Sequence, residues 1–350
     1  MNLEPPVVGS SARPSTRAAA WMLFFLAPAV GELLSGSSPP LRFFNPFTLL
    51  MEAFLYGSGA LLAREFTLRW RRGWPTLLAL GAAYAIIEEG LCCKSFFDAN
   101  WPDVGLLGSY GRWLGVNWAW AAMLILFHTV FSILLPITLV ELTFPAARHE
   151  SWVGPRWRWV LVGLLTLVVV TGFLFFPEGK HPFRPPPLGY GLAVVSVVVL
   201  GVVARRMPLF PARAGGRTTA ARPCWFVLVG FFGTVGLFAT FWLLPNTPLH
   251  PLLTVAVGLV LGAGVLVLVL WMSGGAHAWG DRHRVALVSG GLCFFVLLAP
   301  LLEFGKQNPS KPMTGMALVG LATLGFLLWL GRRLRRIRRL NPPGAAATCA

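Results

Sequence analysis

Residues 251–272 read PLLTVAVGLVLGAGVLVLVLWM, a run without a single charged side chain. A spanning helix needs about 20 apolar residues to cross a hydrocarbon core about 30 Å thick. This run meets that length, and nine others resemble it. The candidates begin near Ala18, Phe43, Trp74, Trp113, Trp157, Leu188, Pro223, Pro251, Val285 and Met313. They end near Ser35, Leu62, Phe97, Leu142, Phe176, Val203, Leu244, Met272, Leu302 and Leu330. The expected fold is therefore an all-α, polytopic integral membrane bundle of about ten transmembrane helices. Pro136 is expected to kink the long fourth span. Ala27-Pro28-Ala29 matches a signal-cleavage pattern, but the apolar run continues past it, which favours a resident span.

Composition agrees. Of the 350 residues, 56% are hydrophobic and 12% charged, against roughly 25% charged in soluble domains. The formal net charge of +16 would suggest nucleic acid in a soluble protein. Here the basic residues sit between apolar runs, so no nucleic-acid partner is expected. Their reading is topology and contact with anionic headgroups of the lipid bilayer. With a cytoplasmic N-terminus, the inside segments hold 22 of the 29 lysines and arginines and the outside loops hold 7. That bias implies N-in and C-in in a cell membrane.

The chain divides on this reading into four parts. Residues 1–17 form a disordered cytoplasmic N-terminus, and 18–145 a four-helix half carrying a polar site. Residues 146–331 form a six-helix scaffold, and 332–350 a basic cytoplasmic tail. Cysteines 92, 93, 224, 293 and 349 form no CxxC and imply no disulfide framework. No organic cofactor is implied.

Acids inside lipid carry the functional signal, because each costs a few kcal/mol on insertion scales. Glu32, Glu52, Glu88, Glu89 and Glu141 fall within spans one to four, and Glu303 ends span nine. Spans five to eight contain no acid. Counting roughly 1.5 Å per residue puts Glu88 and Glu89 about 12 Å below the outer face, Glu52 about 14 Å and His128 about 20 Å. Tyr84, Glu88, Cys92 and Ser95 share a helical stripe of span three; Asn117, Leu124, His128 and Ser132 share one of span four. Neighbouring carboxylates titrate apart, giving one acid and one base. A histidine opposite them orients a water or shares a proton. Two glutamates and a histidine are equally a donor set for a divalent metal, and the residues alone leave that open. Interhelical glue satisfied by Lys94, Arg112 or backbone groups is the structural alternative. Trp113, Trp118 and Trp120 read as an interfacial belt.

The run Tyr84-Ala-Ile-Ile-Glu88-Glu89-Gly90, with Lys94 after it and Phe127-His128 on the next helix, resembles the glutamate-type intramembrane proteases. These are the CAAX prenyl-protease and bacteriocin-processing group and the PrsW-like group. The resemblance spans about residues 84–141. It implies a metal-independent hydrolase: a water activated by Glu88 and Glu89, and an oxyanion stabilised by His128. Lys94 comes later than the family's basic residue, Leu124 stands where the first group has Phe, and no second intramembrane histidine followed by Asn or Asp is present. Glu32, Glu52, Asn117 and Lys94 are supporting candidates. Two further classes compete: a proton- or cation-coupled transporter using the same glutamates, and an assembly protein without a site. The asymmetry of the two halves counts against the transporter.

Overall fold

The computed structural model describes residues 15–176, 183–208, 219–274, 278–305, 309 and 311–340. Outside them lie residues 1–14 of the expected N-terminal segment, the end of the basic tail from 341, and Lys180, Arg213, Arg217, Lys306 and Cys349. The chain is an all-α membrane bundle. Nine helices among the described residues are long and apolar enough to cross a membrane. They are α2 (Pro46–Arg69), α3 (Trp74–Cys92), α4 (Trp118–Thr143), α5 (Pro155–Phe175) and α6 (Pro187–Arg206), then α7 (Pro223–Asn246), α8 (Pro251–Ser273), α9 (Asp281–Phe304) and α10 (Met316–Leu340). The tenth expected span is helical too, as α1 over residues 16–33. It is short and holds Arg17 and Glu32 near its ends, so it falls outside that group of nine.

Local chemistry moves three boundaries. Asn45 caps α2, its Oδ1 accepting from the Phe47 and Thr48 amides at 3.0 and 3.4 Å, and Pro46 takes the first helical position. Helix α3 stops at Cys92, and Lys94 follows in the left-handed region at φ 62°, which turns the chain out of the helix. Helix α4 starts at Trp118, five residues later than expected. A two-stranded hairpin, β1 (Arg112–Trp113) and β2 (Val116–Asn117), occupies the preceding residues. Its turn runs through Leu114 and Gly115, both at positive φ as such a tight turn requires. The later start raises His128 by about 7 Å and removes its apparent depth difference from the glutamates.

Helices α3 and α4 are the most buried and form the axis of the bundle, while α6 and α8 turn most of their surface outward. Helices α1 and α2 pack on one side of that axis, α7 to α9 on the other, and α5 and α6 close against α3. Val195 and Leu259 are exposed on α6 and α8, an arrangement that lipid satisfies and water would not. The arginine-rich ends meet at one edge. There Arg64, buried beneath the Trp152 ring, reaches Glu65 at 3.1 Å and Glu141 at 3.4 Å. Arg148 pairs with Asp281 at 2.8 Å and Arg333 donates to the Thr143 carbonyl at 2.7 Å. Lys311 and Asp103 pair at 2.7 Å in other inter-helical segments, those expected outside.

Candidate functional site

Four helices supply the polar centre, and each does so at a widened turn. Ala29–Leu33 of α1, Ala53–Gly57 of α2, Ile86–Cys92 of α3 and His128–Leu134 of α4 wind as π-helix. Their bonds reach back five residues, as from the Cys93 amide to the Glu88 carbonyl at 2.8 Å. Such turns are rare and concentrate at functional sites. In α4 the wide turn runs up to Pro136, whose ring excludes the regular bond to the carbonyl four residues back.

These turns bring Glu88, Glu89 and His128 together. The imidazole lies between the carboxylates: Nδ1 is 3.1 Å from Glu88 Oε2, and Nε2 is 3.1 Å from Glu89 Oε1. Ser132 Oγ shares a hydrogen bond with Nδ1 at 2.9 Å. Ser95 Oγ donates to Glu89 Oε2 and accepts from the Trp120 indole at 3.0 Å. Every member is enclosed: Glu88 and His128 are 2% exposed and Glu89 8%. A shallow hollow at Arg156, Trp157 and Val160 lies at the start of α5, away from this centre.

Tyr56 continues the arrangement outward. Its hydroxyl donates to Glu32 Oε1, its ring centroid is 6.0 Å from that of His128, and it lies beside Glu88 with Tyr84. Gly31 makes this packing possible, since a Cβ there would fall 2.7 Å from the Tyr56 ring and 2.8 Å from Ser132 Oγ. Glu52 is half-buried near Glu32, and its enclosed Oε2 takes no hydrogen bond.

Two supporting candidates stand elsewhere. Lys94 does not reach the glutamates. Its ammonium donates to the carbonyls of Phe173 (3.0 Å), Phe176 and Phe183 (3.2 Å), fastening the end of α5. Burial first, then the Arg184 guanidinium, hold its pKa below the ordinary lysine value. Asn117 caps α4: Oδ1 accepts from the Trp120 amide at 2.9 Å, and Nδ2 donates to the Leu107 carbonyl. It therefore acts through the backbone that carries Trp120. Arg112 donates to the Phe97 carbonyl at 2.5 Å, so neither basic residue supplies the ionic glue considered as an alternative.

The single stripe on α3 is also corrected. The wide turn sends Cys92 to the Val168 carbonyl at 3.4 Å, and Ser95, beyond the helix end, folds back onto Glu89. Trp120 is buried and serves the centre; only Trp113 and Trp118 have the exposure of a belt. Glu141 belongs to the arginine-rich edge. Tyr56 is missing from the sequence reading, although it lies four residues after Glu52 on one helix face.

One imidazole nitrogen and one oxygen from each glutamate lie within 4.8 Å of one another, a donor set suited to a metal ion. Without an ion, the same groups make a buried acid–base relay. No curated protein and no solved structure matches the chain. A family model matches residues 21–221, which hold the whole of the centre. That match covers more than half of the 350 residues, and the chain accordingly belongs to this uncharacterized membrane protein family.

Proposed function

We propose that this polytopic membrane protein is a membrane-embedded hydrolase, in which Glu88 and Glu89 activate a water molecule and His128 stabilises the oxyanion. The observation that carries the reading is the imidazole placed between two carboxylates, 3.1 Å from each, among enclosed side chains. In this reading a carboxylate takes the proton of a water as its oxygen adds to a peptide or ester carbonyl. His128 donates to the developing oxyanion. Collapse of the intermediate breaks the acyl bond, and the carboxyl returns its proton to the leaving group. Tyr56, Glu32 and Glu52 give water a polar route inward from a half-buried carboxylate. The resemblance to glutamate-type intramembrane proteases points to the same chemistry. The lysine and arginine bias favours a cell membrane, with the arginine-rich edge on cytoplasmic anionic headgroups.

The test is a search for new peptide termini. The full-length protein is reconstituted in liposomes with a membrane extract, beside Glu88→Gln and Glu89→Gln variants, and the products are mapped by mass spectrometry. Termini made by the wild type, and reduced at least about 100-fold in both variants, are the expected result. Identical termini in all three samples contradict the proposal. The polar route from Glu52 also suits a proton-coupled transporter, and acidification of wild-type liposomes without new termini selects that reading.

A further inference from the structure

We infer that Glu88, Glu89 and His128 bind a divalent transition-metal ion, with Zn²⁺ the best match to their donors. The inference stands on the geometry of the centre and not on the hydrolase reading, whose direct roles for the three side chains it would replace: as ligands they would present a metal-bound water. The first ground is the donor set: a nitrogen and two carboxylate oxygens, all within 4.8 Å of one another on buried side chains. Ligand arms of about 2.1 Å need donor atoms within about 4.2 Å of one another, so the side chains would draw in around an ion.

The second ground is independent of that spacing. Glu88 Oε2 is fully enclosed and lacks a hydrogen bond. It lies 3.1 Å from Nδ1 of the imidazole, and its lone pairs take no hydrogen bond. An enclosed carboxylate oxygen without a donor is costly unless a cation or proton meets it.

The third ground is charge. Glu32, Glu52, Glu88 and Glu89 gather around one histidine. Among the described residues, no lysine or arginine forms an ion pair with any of the four. Lys94 spends its three donors on carbonyls of α5 and the segment beyond. Either protonation or a bound divalent cation removes the combined charge of these acids in a low-dielectric surrounding.

The donors also arrive already oriented. Ser132 holds the imidazole through Nδ1, and Ser95, itself held by the Trp120 indole, holds Glu89 through Oε2. Partners of this kind fix ring and carboxylate orientation around bound metals. Calcium and magnesium favour six or more oxygen ligands, whereas the set here includes an imidazole nitrogen. One imidazole and two carboxylates suit zinc and its first-row neighbours, and three protein ligands leave a position open for water. The thiol of Cys92 points to Val168, so sulfur is not among the donors.

The experiment is metal binding by the full-length protein in detergent. The protein is stripped with a chelator and loaded with Zn²⁺; free ion is removed and bound zinc is measured by elemental mass spectrometry. About one zinc per chain is expected for the wild type, and at least a tenfold weaker affinity for Glu89→Gln and His128→Ala. Co²⁺ in place of zinc should give the visible bands of a four- or five-coordinate site. If His128→Ala does not fold, Glu88→Gln, which keeps the side-chain shape, decides by the same measure. Less than about 0.2 zinc per chain in the wild type, or undiminished binding in the glutamine variants, overturns the inference. Zinc binding without new peptide termini removes the hydrolase reading alone. New termini that persist in the stripped protein remove the metal alone.

Discussion

Lys94 and Asn117 show what a polar residue inside an apolar bundle is for. Both stand near the glutamates in sequence, and both serve backbone groups. Lys94 satisfies three carbonyls where α5 ends. Lys94→Met should therefore lower unfolding stability by about 2–3 kcal/mol in a denaturant titration and leave zinc stoichiometry unchanged. A loss of zinc at unchanged stability would return Lys94 to the centre. Asn117→Ala removes a helix cap and should cost about 1 kcal/mol by the same titration. Glu88, Glu89 and His128 were legible from sequence because ionisable groups in apolar helices need a reason. Tyr56 and Trp120 were not, since aromatic residues are ordinary in membrane helices and their hydroxyl and indole partners lie on other segments.

Individual helices were legible from their apolar runs, but the widened turns were not. A bond reaching back five residues leaves no periodic mark, and it redirects Cys92 and Ser95 from the stripe that a regular helix implies. Helix ends failed for a related reason: Asn45, Lys94 and the hairpin before Asn117 act through φ angles and caps, not hydrophobicity. Close helix contacts are a further property of this scale. A Cβ at Gly290 of α9 would lie 2.1 Å from the Val227 carbonyl oxygen of α7, whereas one at Gly191 of α6 meets nothing within 4 Å. Gly290→Leu should therefore sharply reduce monodisperse protein on size-exclusion chromatography, and Gly191→Leu should not. Equal yields would mean that α7 and α9 do not cross so closely.

The molecule as a whole places its basic residues at the edges and four glutamates, Glu32, Glu52, Glu88 and Glu89, around one centre between apolar packings. Val195→Lys or Leu259→Lys puts a cation on a lipid-facing surface and should cost about 2–3 kcal/mol, read as loss of folded protein. Cysteines placed at Arg69 and Asp103 should label from opposite sides of sealed vesicles. Labelling from the same side would contradict the orientation drawn from the 22 to 7 bias. On the proposed function, Glu88, Glu89 and His128 are kept for chemistry and not to hold the bundle together. Thermal unfolding of the chelator-stripped protein tests it without knowledge of a substrate. The glutamines of a Glu88→Gln/Glu89→Gln double variant retain shape and hydrogen bonding while removing two enclosed charges. The expected unfolding midpoint is equal to or above that of the stripped wild type. A fall equivalent to more than about 2 kcal/mol would contradict it, making the pair a structural fastening of α3 to α4.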